Sequence, residues 1–392
     1  MAVSELMNKH RLAVIVIAYN RVQSLERLLD SLNCASGIEN VDLFICIDGG
    51  GSREVPAAAD KFQWKGRRKE IILQEKNLGL KDHMLKSISI VEDYDAVVVL
   101  EDDLLVSPYF AEYSYQALDF YKDEKNIAGI SLYSYNYNEY ARKFFIPLNN
   151  GYDSYFIQSA TSWGQLFTRD EWRNFLFWYS RNKYSEDFSV VSHFVEKWPG
   201  SSWKKYFIKY MNEKKRYFVC PNISLSTNMG EIGTHHKLLH KNLQVPLLSG
   251  TKEFRFSPFN DDAIKYDSYY EMEAESLKRR APFLEEYDFE MDLYGKKDIS
   301  RVKSEYLISI KHSGNSILQF GMRTIPLETN IIFNIRGDRI CLAAKNSFKK
   351  PKKEVTEDFN QLMHKTMFLE SDGIMNYVNH IKKLVLSRFI LK

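Results

Sequence analysis

Val97-Val98-Val99-Leu100-Glu101-Asp102-Asp103-Leu104-Leu105 is the stretch on which the fold turns. Residues 96–100 are apolar and rich in β-branched side chains, and the run stops abruptly at three consecutive carboxylates. A short apolar run of this kind reads as a strand covered on both faces, as in the middle of a parallel sheet. The acidic half then emerges at the strand's carboxyl edge, where open α/β sheets take their ligands. Adjacent carboxylates repel one another and are costly to desolvate unless a cation or hydrogen-bond donors sit among them. A divalent metal holding a phosphorylated substrate is the simplest occupant, since Mg2+ and Mn2+ favour oxygen ligands. A solvated loop after a core strand is the alternative.

The flanking sequence repeats this grammar. Leu12–Ala18 is an uninterrupted apolar run that ends in Tyr19-Asn20-Arg21, and Val22, Leu25, Leu28, Leu29 and Leu32 follow at helical spacing. Residues 41–47 form a second strand pattern ending in Asp48-Gly49-Gly50-Gly51. Residues 70–74 form a third, followed by Lys76-Asn77-Leu78-Gly79-Leu80-Lys81 and a helix over about 82–91. Strands that alternate with helices and stop at polar or glycine residues predict βαβ units in a mostly parallel, Rossmann-like sheet flanked by helices. No GxGxxG or GxxxxGK[ST] follows the first strand, so neither a dinucleotide fingerprint nor a P-loop is expected.

Beyond the acidic triplet, Ser107-Pro108 reads as a helix start, with the helix reaching Tyr121. Residues 127–132 and 216–219 read as strands, and residues 169–179 and 204–212 as helices. From about residue 237 the alternation is lost. The expected organisation is therefore a catalytic domain over 1–240, with a donor half at 11–105 and an acceptor half at 106–240. A mixed α+β extension follows over 241–392. In the extension, residues 288–297 and 328–341 contain strand-like pieces and residues 349–353 form a basic loop. Residues 373–392 read as a basic amphipathic helix. Such a helix suits peripheral contact with an anionic membrane surface; packing on its own domain is the alternative.

The bulk properties narrow the class. A net charge of +3 over 392 residues carries no nucleic-acid footprint. Cys34, Cys46, Cys220 and Cys341 are far apart, form no CxxC pair, and suit a reducing compartment. The first ten residues lack a signal-peptide apolar region, and no run approaches the roughly 18 apolar residues of a spanning helix. A cytoplasmic protein, soluble or attached at the inner face of the membrane, is expected.

Each strand end offers chemistry. Asp103, furthest out from its strand, is the candidate metal ligand, with Asp102 suited to ribose or the metal's water shell and Glu101 to donor hydroxyls. Ala18, Tyr19, Asn20 and Arg21 present helix-start amides and a fixed cation to phosphate or base edges. Asp48 can accept from a base N–H, and Lys76, Asn77 and Lys81 can reach phosphate or ribose. Trp163, in a Trp-Gly turn, is a candidate wall beside a sugar ring; core packing is its alternative. His235 and His236, after Gly233, are candidates for metal or phosphate contact, with an ordinary loop hydrogen bond as the alternative.

Ala-Tyr-Asn-Arg (18–21), Ile-Asp-Gly-Gly (47–50), Asn-Leu-Gly-Leu (77–80) and Leu-Glu-Asp-Asp (100–103) resemble the nucleotide-sugar half of GT-A glycosyltransferases of the family 2 type. The Glu-Asp-Asp form followed by Ser-Pro-Tyr-Phe is similar to N-acetylglucosaminyltransferase I and its bacterial relatives. Ser-Trp-Gly (162–164), Ser-Ser-Trp (201–203), Pro-Asn-Ile-Ser-Leu (221–225) and the segment 228–235 resemble the acceptor half of those relatives. The resemblance covers about residues 11–240. It implies a metal-dependent, inverting transfer from a nucleotide sugar, UDP-linked, to a glycan or lipid-linked glycan acceptor in surface polysaccharide synthesis, with Mn2+ or Mg2+ as cofactor. It further implies that Asp103 is the metal ligand, that Asp102 and Glu101 lie near ribose and donor sugar, and that Asp48 lies near the base.

One departure stands out. Relatives often carry the catalytic base as Asp just after the Trp of the segment matching 201–206, where this chain has Lys204 and Lys205. A lysine ammonium cannot take a proton. Glu231 is the first substitute as base, with Asp170 and Asp187 behind it. Two further readings stay open: a catalytically weak nucleotide-sugar-binding protein on the same scaffold, and a nucleotidyltransferase. The latter usually has a Gly-rich, basic first loop, which residues 18–21 do not supply.

Overall fold

The computed structural model describes residues 3–231, 242–349, 355–359 and 362. Helix α1 (Val3–Lys9) leads into β1 (Leu12–Ala18), α2 (Val22–Asn33), β2 (Asp42–Ile47), α3 (Glu54–Lys61), β3 (Arg68–Leu73), α4 (Gly79–Ile88) and β4 (Ala96–Glu101). All seven residues of β1 and the first five of β4 are buried, as continuous apolar runs in a two-sided sheet require. Strand β2 pairs in parallel with β1 and β3, and β4 with β1, so the carboxyl ends of the first four strands share one edge. Helix α2 packs Leu25, Leu28, Leu29 and Leu32, each at most 1% exposed, against this sheet. Burial of each such side chain contributes roughly 1.5–3 kcal/mol.

Strand β3 differs from its neighbours because it is the edge. It starts at Arg68, two residues before the expected start, and carries Arg68, Lys69 and Glu70 at half-buried or exposed positions. Charges on an edge strand discourage pairing with other chains.

The second half widens the same sheet. A three-residue strand, β5 (Leu104–Val106), follows the acidic triplet, and α5 runs over Phe110–Tyr121. Ser107 is thus not the N-cap. Its hydroxyl accepts from the Tyr109 amide at 3.1 Å and donates to the Leu248 carbonyl, tying the turn to a distant segment. Strand β6 (Ile127–Ser131), the small hairpin β7 (Tyr137–Asn138) and β8 (Lys143–Phe144), β9 (Ser154–Ile157), β10 (Gln165–Thr168), α6 (Arg169–Asn182), α7 (His193–Glu196), α8 (Trp203–Glu213), β11 (Tyr217–Pro221) and β12 (Ser226–Asn228) follow. With β13 (Lys265–Tyr266) they give a nine-stranded sheet in the order β13-β9-β11-β6-β10-β4-β1-β2-β3. Its pairings are mostly parallel, with β10 antiparallel to both β4 and β6 and β9 antiparallel to β11. The sheet therefore continues past residue 240, and Phe254 and Phe256 pack edgewise and tilted on Tyr113 of α5.

Beyond it, β14 (Phe289–Asp292), β15 (Tyr306–Ser309), β16 (His312–Ser313), β17 (Leu318–Phe320), β18 (Ile340–Ala344) and β19 (Phe348–Lys349) include a four-stranded sheet, β14-β15-β18-β17. The expected strand-like region from residue 328 is first a helical turn, Thr329–Ile332, and only later a strand. The buried Lys297 ammonium pairs with Asp267 at 2.6 Å and Glu290 at 3.1 Å, pinning β14 to the segment just after β13. Residues 373–392 and most of the basic loop lie outside the described residues. No helix among the described residues is long and apolar enough to cross a membrane.

Glu328 lies in a small apolar recess with Phe144, Leu293, Tyr294 and Ile325, and burial pushes its carboxyl up to about 7. An unfolded-chain Glu titrates near about 4.3, so folding raises this pKa and the native state holds the proton. Its stability penalty is absent below about pH 4.3, grows as pH rises toward 7, and is then constant. Glu328→Gln is expected to add about 2–3 kcal/mol at pH 8 and almost nothing at pH 4.5. Urea unfolding at the two pH values checks this; an equal change at both would contradict it.

Candidate functional site

The four strand ends singled out in the sequence are joined by hydrogen bonds at the carboxyl edge. From β1, the Tyr19 hydroxyl accepts from Asn77 Nδ2 at 3.0 Å, linking it to the turn after β3. From β2, Asp48 accepts the backbone amides of Gly49 and Leu78 on Oδ1 and of Gly79 on Oδ2, at 2.8–3.1 Å. Its carboxylate thus clamps the turn that starts α4. The glycines between these turns are needed for contact. A Cβ on Gly49 would lie 2.3 Å from the Lys76 carbonyl carbon, and one on Gly51 2.2 Å from the Tyr19 carbonyl oxygen.

Arg21 joins β1 to β4. Its guanidinium donates to Asp103 Oδ2 at 3.0 Å and, through its other terminal nitrogen, to Asp102 Oδ1. The cation expected to face phosphate therefore spans two of the three carboxylates. The reason is electrostatic: three partly or fully buried acids need an opposite charge more than a solvated ligand does. Burial would lower the Arg21 pKa, but the facing carboxylates outweigh it and raise it. Burial raises Asp102 to about 6, with Arg21 opposing. Burial and the neighbouring charges of Asp103 and Asp102 push Glu101 to about 8.

This donor set fits a hard divalent cation: oxygen ligands only, with an excess of acid over base at one point. Asp103, whose side chain is 16% exposed, is the group open to it. Among the described residues no group of three or more His, Cys, Asp and Glu side chains is arranged to hold a metal ion, so the protein's share would be small. His235 and His236 lie outside the described residues. The segment leading to them runs beside the triplet: β12 pairs antiparallel with β5, and the Met229 amide donates to the Asp103 carbonyl at 3.0 Å.

Other expected residues are placed differently. Glu231 is held by Arg27 through both oxygens, at 2.6 and 2.9 Å, and by the Ser24 hydroxyl. Arg27 lowers its pKa, which makes it a poor proton acceptor and a tie between α2 and the loop after β12. Asp170 opens α6 just after Thr168, which pairs with Ala96 at the amino end of β4, so it sits at the wrong edge of the sheet. Asp187 is exposed and accepts from the Ser189 amide at 2.9 Å. Lys76 and Asn20 are exposed at the edge. Lys81 reaches across to donate to the Gly200 carbonyl at 3.0 Å, bringing the turn before α8 over the donor half. Trp163 enters at the level of Glu101, because Gln165 pairs with Val99. It is packed against Tyr133 and Tyr135 and lies under the Lys204 ammonium, so it is part of an aromatic cluster more than a free wall.

The sequence reading missed Ser24 and Arg27, although a Ser and an Arg three residues apart on the helix after β1 were a usable signal. It also missed Trp198, whose ring lies against Lys204. A further carboxylate it passed over is Glu139, whose Oε1 is buried without a hydrogen-bond partner.

Residues 13–177, less than half of the chain, match the family model described as Glycosyl transferase family 2. That segment is similar to glycosyltransferase domains of family 2. The matched residues include all four strand ends, Arg21, the acidic triplet and Trp163. No curated protein matches the chain. Among solved structures, the mannosyltransferase PcManGT from Pyrobaculum calidifontis in complex with GDP-Man and Mn2+ is 13% identical, with a TM-score of 0.31 over 41% of this chain and 45% of that one. S. aureus TarS 1–349 is 12% identical, with a TM-score of 0.38 over 55% of this chain and 59% of that one. A second S. aureus TarS structure is 12% identical, with a TM-score of 0.36 over 55% and 36% of the two chains. The chain thus spans less than two thirds of each of these solved chains.

Proposed function

We propose that the protein transfers a sugar, with inversion, from a nucleotide-diphosphate donor to a glycan or lipid-linked glycan acceptor in surface polysaccharide synthesis. The observation that carries this reading is the convergence, inside a family 2 domain, of four parallel strand ends on Arg21, Asp102 and Asp103. A diphosphate leaving group needs positive charge as the glycosidic bond breaks. A divalent metal at Asp103 would supply that charge when bound. Arg21 holds Asp102 and Asp103 in place, Asp48 and Asn77 set the turn that frames the nucleotide, and Glu101 lies on the donor-sugar side. The acceptor proton goes to a carboxylate base, and Glu231 would serve only when released from Arg27 and Ser24.

Thermal shift with UDP- and GDP-sugars, in Mn2+, Mg2+ or EDTA, tests the reading. A donor at about 100 times its Kd adds about 2.7 kcal/mol to apparent stability, and the shift is expected only with metal. Absence of any shift and of donor hydrolysis would overturn the reading. Binding without transfer or hydrolysis would favour the catalytically weak binding protein.

A further inference from the structure

Lys204 is the second residue of α8, in the acceptor half, and 9% of its surface is exposed. Its Nζ lies 5.2 Å from the ring centroid of Trp163 and 5.3 Å from that of Trp198. Among the described residues it forms no hydrogen bond or ion pair, in contrast to the other buried lysines of the helix. Lys205 Nζ donates to the Glu196 and Trp198 carbonyls, both at 2.7 Å, and Lys209 Nζ to Ser185 Oγ at 2.8 Å. An ammonium carries three donors, and two indole faces satisfy none of them as an oxygen would. The ammonium keeps some contact with solvent, and Glu101 is the acid of this chain that feels its charge, so its three donors are open to an oxygen brought by a ligand.

Its position says where that partner is. Trp163 comes in beside Glu101, and the Lys81 contact to Gly200 holds the turn before α8 over the sheet edge. Lys204 therefore faces the Glu101 side of the edge, while Arg21 is taken up by Asp102 and Asp103 on the other. The N-terminus of α8 adds a field of the same sign.

We propose that Lys204, between Trp163 and Trp198, is a subsite for an oxyanion, a carboxylate or phosphate, carried by the transferred sugar or by the acceptor at the point of transfer. The proposal rests on the nucleotide-sugar reading of the sheet edge. It makes the substrate acidic at that point, because an ammonium between two indole faces pairs more strongly with an oxyanion than with a neutral hydroxyl.

Calorimetric titration of the full chain, as wild type, Lys204→Met and Lys204→Arg, tests it in two arms. The donor arm compares UDP-glucuronic acid with UDP-glucose. The acceptor arm compares glucuronate with glucose and glycerol 3-phosphate with glycerol, without nucleotide. In at least one arm the wild type is expected to prefer the anionic probe roughly ten- to a hundredfold. Lys204→Met loses that preference, Lys204→Arg keeps most of it, and UDP binds all three proteins alike. The arm that responds identifies the source of the anion. The proposal is overturned if no anionic probe is preferred, if Lys204→Met keeps the wild-type preference, or if it weakens UDP as much as UDP-glucuronic acid. The last result would make Lys204 a diphosphate contact. Failure of the nucleotide-sugar reading looks different: no UDP compound binds, and the free anions alone decide the role of Lys204. Lys204→Gln replaces the Met variant should the latter not fold.

Discussion

Asp103→Asn is expected to lower sugar transfer by about 10²–10³-fold, the loss typical of removing one preorganised electrostatic group from a transition state. Donor binding should lose its dependence on Mn2+ in the same variant, because the amide keeps the shape of the carboxylate but not its charge. Folding should survive, since the Asp103 backbone carbonyl keeps its bond from the Met229 amide at 3.0 Å and the Asn side-chain oxygen can still accept from Arg21, which also keeps Asp102. Initial rates and metal titrations, with unfolding curves as control, check this. Wild-type metal dependence in the variant would remove Asp103 as the ligand.

The donor side of this site was legible because each of its strands announces itself locally. Leu12–Ala18 and residues 96–100 are unbroken apolar runs, and they emerge as β1 and β4 almost residue for residue. Strands β9 and β10 were not, because each has only four residues and their burial comes from neighbours far along the chain. The insertion of β10 antiparallel between β4 and β6 is likewise set by packing; no local pattern encodes strand order. What decides the role of Glu231 lies even further away. Its partners Ser24 and Arg27 are more than 200 residues upstream, so a free-looking acid beside two histidines is in fact neutralised. Lys204 shows the converse. As a sequence feature it registered only as the absence of a base; the structure sets its ammonium between the rings of Trp163 and Trp198.

The largest effect on stability is expected at Arg21. Its guanidinium bridges Asp102, 5% exposed, and Asp103, 16% exposed, while itself being 23% exposed. Replacing it with Met keeps the aliphatic stem but leaves two poorly solvated carboxylates without a counter-charge, next to the half-buried Glu101. Breaking a buried pair from one side costs about 3–5 kcal/mol, well above the net worth of the pair itself, because the remaining charges are stranded. The partial exposure of Arg21 and Asp103 places the expected value toward the lower end, about 3 kcal/mol. Lysine is a poor substitute, since a single ammonium cannot present two parallel donors to two acids as the guanidinium fork does. The decisive comparison is between Arg21→Met and the triple variant Arg21→Met, Asp102→Asn, Asp103→Asn, by urea unfolding at pH 7.5. If stranded charge is the cause, removing the acids restores much of the lost stability even though no contact to Arg21 returns. A loss below about 1 kcal/mol in Arg21→Met, in the range of a solvent-exposed pair, would mean that the triplet is hydrated and that Arg21 does not organise it.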